Sequence, residues 1–284
     1  MGGDFGFPRV LAWEITRRCP MKCRHCRAAA ADCAYDGELS TSECMKVLDS
    51  LAARKPMVIW TGGEPMTRDD LPALVRHASS CGIRSVLAPC GMLATERRLA
   101  ELREAGAMAC SFSLDGPDRA SHDEFRGVAG AWDAVFGAMA AARAAGMPFQ
   151  VNTVVRKGSL GSLDAIYGAA MAEGATRLDL FFLVPTGRGM MIDSQVPDDD
   201  ETKAVIAWAA GKRTKLTCCP MAGTCIGGRG FAFLSHTGFL QPCGFVQTPC
   251  GNIRDHGLDF VRLAASAANP LLSFMLLFHH LAKY

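Results

Sequence analysis

Three cysteines, Cys19, Cys23 and Cys26, are spaced C-x-x-x-C-x-x-C within Thr16-Arg17-Arg18-Cys19-Pro20-Met21-Lys22-Cys23-Arg24-His25-Cys26. Three thiolates on one short loop can hold three irons of a 4Fe-4S cube, and the missing fourth ligand leaves one iron open to a small molecule. Zinc is the competing occupant, but it needs a fourth protein donor, and His25 stands too close in the loop to serve easily. A second group, Cys218, Cys219, Cys225, Cys243 and Cys250, lies near the end, while Cys33, Cys44, Cys81, Cys90 and Cys110 are scattered and read as ordinary buried cysteines. The start, Met1-Gly2-Gly3-Asp4-Phe5-Gly6, has no positive region followed by an apolar run and no hydroxyl at position 6. Neither a signal peptide nor a myristoylation site is expected, so the expected location is the cytoplasm. There a reducing medium makes metal binding a better use for thirteen cysteines than disulfides.

A reactive loop needs elements to hold it. With 284 residues, 49% hydrophobic and 20% charged, the chain can bury a full-sized core, which excludes disorder. Thirty Lys plus Arg against 28 Asp plus Glu give a net charge of +2, so nothing in the bulk charge points to nucleic acid or a polybasic membrane surface. Short β-rich runs recur at 10–16, 57–61, 84–88, 109–114, 149–155 and 177–184, with helical patterns between them. Ser40 with Glu43 makes a capping-box signature, after which Cys44, Leu48, Leu51 and Ala52 share a helical face, and Leu71, Leu74, Val75 and Ala78 repeat the spacing. Gly82, Gly106, Gly146 and Gly174 stand where left-handed helix caps are wanted. Strand-then-helix units in a row imply parallel strands with right-handed crossovers. Six are too few for a closed eight-unit barrel, so the expected fold is α/β, an open partial (βα)6 TIM-like barrel with its reactive end at the strand C-termini. A doubly wound sheet is the competing architecture, weakened because no GxGxxG follows the first strand. The apolar segment 271–277 is far below the roughly 18 to 20 residues that span a bilayer, and no membrane span is expected.

The cysteine motif after the first strand resembles that of the radical S-adenosylmethionine (AdoMet) superfamily. The resemblance implies an open iron chelated by the methionine amino and carboxylate groups, and one-electron cleavage of the sulfonium to a 5'-deoxyadenosyl radical. Thr61-Gly62-Gly63-Glu64-Pro65 is similar to the family's GGEP element, whose glycines let backbone approach the methionine ammonium. By the same resemblance Ser113, in Ser113-Leu114-Asp115-Gly116, supplies a polar contact to the cosubstrate. Arg126, in His122-Asp123-Glu124-Phe125-Arg126-Gly127, can pair with a carboxylate in a bidentate fork. Asn152 is implied to bond a ribose hydroxyl, Val184 to pack on adenine and His25 to lie beside it. In the tail, Cys225 and Gly238-Phe239-Leu240-Gln241-Pro242-Cys243 resemble the opening of a SPASM domain, which binds auxiliary iron-sulfur clusters. No cysteine follows Cys250, so at most one auxiliary cluster is implied, held by Cys218 or Cys219 with Cys225, Cys243 and Cys250. The expected organisation is a partial barrel over 1–212 and a shortened SPASM-like region over 213–284.

A narrower resemblance rests on 8–19, 22–30, Ala88-Pro89-Cys90-Gly91 and 182–189, which look like the haem-biosynthesis branch of the superfamily. Members of that branch trim acid side chains from a tetrapyrrole, and the haem-synthase type is favoured over the deacetylase and haem d1 types. A tetrapyrrole substrate and a flavodoxin- or ferredoxin-type electron donor are thus the implied partners. Arg156, Lys157 and Arg188 lie at the expected open face and are candidate anchors for the substrate's acid groups. Two other readings remain: a peptide-modifying radical enzyme, which shares the fold and motif, and an inactive or electron-carrying iron-sulfur relic, for which the shortened tail argues.

Overall fold

The computed structural model describes residues 7–221, 225–228 and 230–266. Six parallel strands stand side by side in chain order: β1 (Val10–Thr16), β2 (Met57–Gly62), β3 (Ser85–Leu87), β4 (Ala107–Ser113), β5 (Phe149–Val155) and β6 (Leu178–Phe182). Helices α1 (Thr41–Leu51), α2 (Leu71–Ser80), α3 (Glu96–Glu104), α4 (Arg119–Arg126), α5 (Ala131–Ala144) and α6 (Leu160–Ala172) connect them, and α7 (Asp199–Ala209) follows β6. The expected open α/β barrel is therefore the observed architecture. Ser40 and Glu43 form the reciprocal capping box at the start of α1. Gly82, Gly106, Gly146 and Gly174 take φ of 71°, 110°, 62° and 84°, which side chains with a Cβ resist.

Alternation along each strand separates two environments. In β1, Leu11, Trp13 and Ile15 join the main core beneath the helices, which leaves Ala12, Glu14 and Thr16 on the inner face. Trp13 stacks on Trp60 of β2 at 5.6 Å between ring centroids, and truncating either to Ala would cost about 3–5 kcal/mol. β5 repeats the pattern, with Phe149, Val151 and Val155 in the core and Gln150 and Asn152 on the inner face. Because the inner face opens to solvent at the strand C-termini, polar groups there can meet a ligand.

The segment after residue 212 adds strands to the same sheet. β7 (Thr214–Thr217) pairs parallel with β6, β8 (Phe231–Leu234) pairs parallel with β1, and the short β9 (Leu240–Gln241) runs antiparallel to β8. Both edges of the six-stranded wall, which would otherwise expose unpaired backbone, are thus covered by tail strands. A final helix, α8 (Phe260–Ser266), sends Phe260 and Leu263 into the main core. Arg254 adds a two-pronged bond to Glu43 of α1, 2.7 and 3.1 Å, so the tail packs as part of the barrel wall. Among the described residues no helix is long and apolar enough to cross a membrane, and the segment 271–277 lies outside them.

Candidate active site

The chain leaves β1 at Thr16 and crosses the barrel mouth as the cysteine loop. That loop is pinned from three sides. Lys22 and Arg24 N–H groups donate to the carbonyls of Arg126 and Phe125 at the end of α4, at 3.2 and 2.9 Å. Gly63 and Glu64 N–H groups, just past β2, donate to the carbonyls of Thr16 and Arg18 at 2.9 and 2.8 Å. Arg188, after β6, donates through its guanidinium to the carbonyls of Cys23 and Ala30, each at 2.8 Å. Arg188 therefore clamps the loop through Nε and Nη1, which leaves only its Nη2 unbonded among the described residues. A Cβ on Gly63 would stand 2.4 Å from both the Arg17 and Arg18 carbonyls, and one on Gly62 would stand 2.2 Å from the Thr16 carbonyl. The glycines thus serve first to bring the end of β2 against the loop backbone.

Cys19 and Cys23 are buried and Cys26 is partly so, with Met21, Ala28, Ala30 and Ala131 around them. Burial pushes the Cys23 thiol up, opposed by the Arg126 guanidinium, and the thiols of Cys26 and Cys19 are close enough to act on it. The Cys19 thiol is lowered chiefly by a hydrogen bond from the Cys90 thiol. Cys90, just past β3, gives its backbone N–H to Glu64 Oε2, while Glu64 Oε1 accepts from the Met66 N–H at 2.9 Å. Glu64 is fully buried, and burial raises its pKa against those donors. Pro65, also buried, begins the single turn of 3-10 helix that positions Met66.

Arg126 is buried and pairs with Asp115 at 3.3 Å, and Asp115 also accepts from the Val154 N–H at 2.7 Å. His25 stacks on Phe125 at 4.8 Å, and burial lowers its pKa to about 4, so it is neutral at pH 7. Among the described residues His25 Nδ1, Arg126 Nε and Arg188 Nη2 are buried without a hydrogen-bond partner. Such orphaned groups are costly unless something polar meets them. A donor set of three sulfurs in an apolar pocket, ringed by unmet polar atoms, fits a 4Fe-4S cube with a polar cosubstrate beside it.

Ser113 and Val184 stand half-buried at the ends of β4 and β6, on the same mouth. The Asn152 amide is already engaged, donating to Ser111 Oγ at 2.7 Å and accepting from Gln150 at 2.9 Å. A ribose contact through Asn152 would have to share that amide.

A buried charge centre lines the inner face beside the loop. Glu14, completely buried, receives Arg17 Nε and Nη2 at 3.2 and 3.1 Å, Arg27 Nη1 at 3.1 Å, and lies 2.7 Å from His236 Nδ1. Burial would raise its pKa, but the His236 hydrogen bond and the Arg27 and Arg17 charges outweigh it and hold it near about 2. A charged residue inside the apolar-alternating β1 was the sequence signal for this centre. Its partners, as far away as His236, left none.

In the tail the structure gathers three thiols. A Cβ on Gly227 would stand 3.6 Å from Cys225 Sγ and 3.5 Å from Cys243 Cβ. Loss of water around its sulfur, with the neighbouring Cys243 and Cys225 thiols, pushes the Cys218 thiol up to about 12. Cys219 and Cys250 instead pack against the main core, and Cys250 Sγ points to the Thr248 carbonyl at 3.8 Å.

The sequence pattern of the Radical SAM superfamily matches residues 13–160. The AdoMet-dependent heme synthase of Oleidesulfovibrio alaskensis is 39% identical in an alignment 280 positions long that covers 87% of this chain and 72% of that protein. The AdoMet-dependent heme synthase of Methanosarcina barkeri is 36% identical, over 87% of this chain and 80% of that one. The crystal structure of Streptococcus suis SuiB bound to S-adenosylmethionine superposes with a TM-score of 0.68 at 15% identity, covering 88% of this chain and 64% of that one, which shows a shared fold. Three thiols at the mouth of an open parallel barrel, with this likeness over most of the length, mean that the chain belongs to the radical SAM superfamily, in its haem-biosynthesis branch.

Proposed function

We propose that this chain decarboxylates propionate side chains of an iron-coproporphyrin-type tetrapyrrole to vinyl groups, completing a haem. It is a radical SAM enzyme of haem biosynthesis, working with a 4Fe-4S cluster and AdoMet. The observation that supports the finer reading is the meeting, at the strand C-termini, of the three-thiol loop with an inner wall that carries Arg17 and Arg27. When bound, the cluster and AdoMet supply reductive cleavage to a 5'-deoxyadenosyl radical, which abstracts hydrogen. Cys19, Cys23 and Cys26 would hold the cluster. Glu64, Arg126 and the backbone of Gly62 and Gly63 would seat the methionine end, and neutral His25, Ser113, Asn152 and Val184 would seat the nucleoside. Arg188 and Gly63 keep the loop in register, so that the cosubstrate meets the barrel interior rather than solvent.

On the substrate side, a propionate carbon gives up one hydrogen atom, its carboxylate leaves as carbon dioxide, and one electron remains for an acceptor. Cys218, Cys225 and Cys243 would hold an auxiliary cluster, whose chemistry would be that of a one-electron acceptor, and a flavodoxin- or ferredoxin-type protein is the proposed electron donor for initiation.

The test is anaerobic reconstitution, then dithionite, AdoMet and iron-coproporphyrin III, with products read by mass spectrometry. One 5'-deoxyadenosine should form per vinyl, and the Cys19→Ala, Cys23→Ala, Cys26→Ala variant should form none. Iron should approach about eight per chain and fall to about four in the Cys225→Ala, Cys243→Ala variant, with product lost but AdoMet cleavage kept. AdoMet cleavage in the wild type without any tetrapyrrole product would overturn the reading, and a crosslinked peptide product would replace it with the peptide-modifying one.

A further inference from the structure

Three cations were expected to anchor the substrate's acid groups, and the structure occupies two of them elsewhere. Arg188 is committed to loop carbonyls, while Arg156 lies over the Phe125 ring at 4.9 Å with Nη1 reaching Gln195 at 3.3 Å. A different residue holds spare donors inside the barrel. Arg27 follows the cluster-loop Cys26, and its guanidinium lies over the Phe233 ring of β8, 4.2 Å from the centroid. Among the described residues it gives one hydrogen bond, from Nη1 to Glu14. Its side chain is 17% exposed, enough to meet a ligand, and its charge reaches the tail thiol Cys243.

Two guanidiniums, from Arg17 and Arg27, share the single Glu14 carboxylate. Glu38 also reaches this centre, accepting the Arg17 backbone N–H at 2.8 Å, so its charges balance, and what the water-poor surroundings offer an anion is the unbonded edge of Arg27. The Phe233 ring covers one face of Arg27, and Glu14 fixes one prong, so the remaining edge is held ready for a carboxylate fork. Gly244 leaves the room for this, since a Cβ there would stand 3.1 Å from Arg27 Nε and 3.2 Å from the Phe233 ring.

We propose that Arg27, fixed by Glu14 and Phe233, binds one carboxylate of the substrate between the cysteine loop and the tail thiols. The proposal rests on the tetrapyrrole reading above and gives it a specific acid-recognising residue.

The experiment titrates the reconstituted full chain, without AdoMet, with iron-coproporphyrin III and separately with its tetramethyl ester, following the Soret band. The wild type should bind the acid more tightly than the ester. Arg27→Gln should weaken acid binding about 10- to 100-fold, the size of a charge-assisted hydrogen bond, and leave ester binding unchanged. Arg27→Lys, which keeps charge but loses the fork, should fall between. Gly244→Ala keeps the charge and crowds the guanidinium, so it should weaken acid binding several-fold, and it carries the test if Arg27→Gln fails to take up iron. Acid binding at wild-type strength in the variants, or equal weakening toward acid and ester, would overturn the assignment while leaving the tetrapyrrole reading intact. A wild type that binds the ester as tightly as the acid would also overturn the assignment, and one that binds neither porphyrin would remove the tetrapyrrole reading and this site with it.

Discussion

Cys90 brings a fourth sulfur to the cysteine loop, close enough to lower the Cys19 thiol, while its backbone N–H is held by Glu64. A hydrogen bond to a ligating thiolate stabilises the reduced, more negative cluster and raises its potential. Replacing Cys90 by Ala should therefore move the midpoint potential of the 4Fe-4S cluster to a more negative value. Replacing it by Ser should restore most of the difference, because a hydroxyl still donates. Potentiometric titration followed by electron paramagnetic resonance reads both, and identical potentials in all three proteins would show that Cys90 only fills space. Composition alone had placed Cys90 among the ordinary buried cysteines, since nothing local tells a packing thiol from one that the end of β3 delivers to a neighbour of Cys19.

Among the elements, the junction of β2 with the cysteine loop is the tightest. Gly63→Ala sets a Cβ 2.4 Å from two carbonyls of the loop, neither of which is a flexible chain end that can swing away. The expected result is a folded barrel by circular dichroism with sharply reduced iron uptake, because the loop moves before any ligand is met. Gly161→Ala, in the first turn of α6 with nothing within 4 Å of the new Cβ, should instead keep its iron and gain roughly 0.5–1 kcal/mol of stability. Equal iron content in the two variants would show that the loop adjusts to a side chain at position 63. The strand bounds of β1 and β5 and the cap of α1 agree with what their residues alone indicate, because alternation and capping act within a few positions. β8 and β9 gave no such signal. They have four and two residues, and what makes β8 a strand is the open edge of β1, on which β9 then pairs with β8.

For the molecule as a whole, His122 links the site to acid stability. It is buried, its Nδ1 accepts from the Asp115 N–H at 3.0 Å, and burial lowers its pKa to about 4. Below the ordinary histidine value near 6.5 the unfolded chain gains a proton that the folded chain refuses until pH 4. Stability therefore falls as pH drops through that window. Urea unfolding of the cluster-free chain should lose roughly 2 kcal/mol between pH 6.5 and 5 from this residue. His122→Asn, which keeps the acceptor and cannot titrate, should flatten that part of the curve, and an unchanged slope would show that His122 is protonated in the folded chain. The sequence by itself determined the repeating strand and helix units, the three-thiol loop at the end of the first strand and the GGEP element beside it, because each is written in residues close together along the chain. Only the tertiary structure decided that Arg188 clamps the loop, that Arg27 and Arg17 share Glu14 with His236, and that Cys225 and Cys243 flank Gly227 near Cys218 while Cys250 packs on the core. Those outcomes depend on which side of a buried sheet each distant segment covers, and that is settled by the burial of whole surfaces rather than by any local pattern.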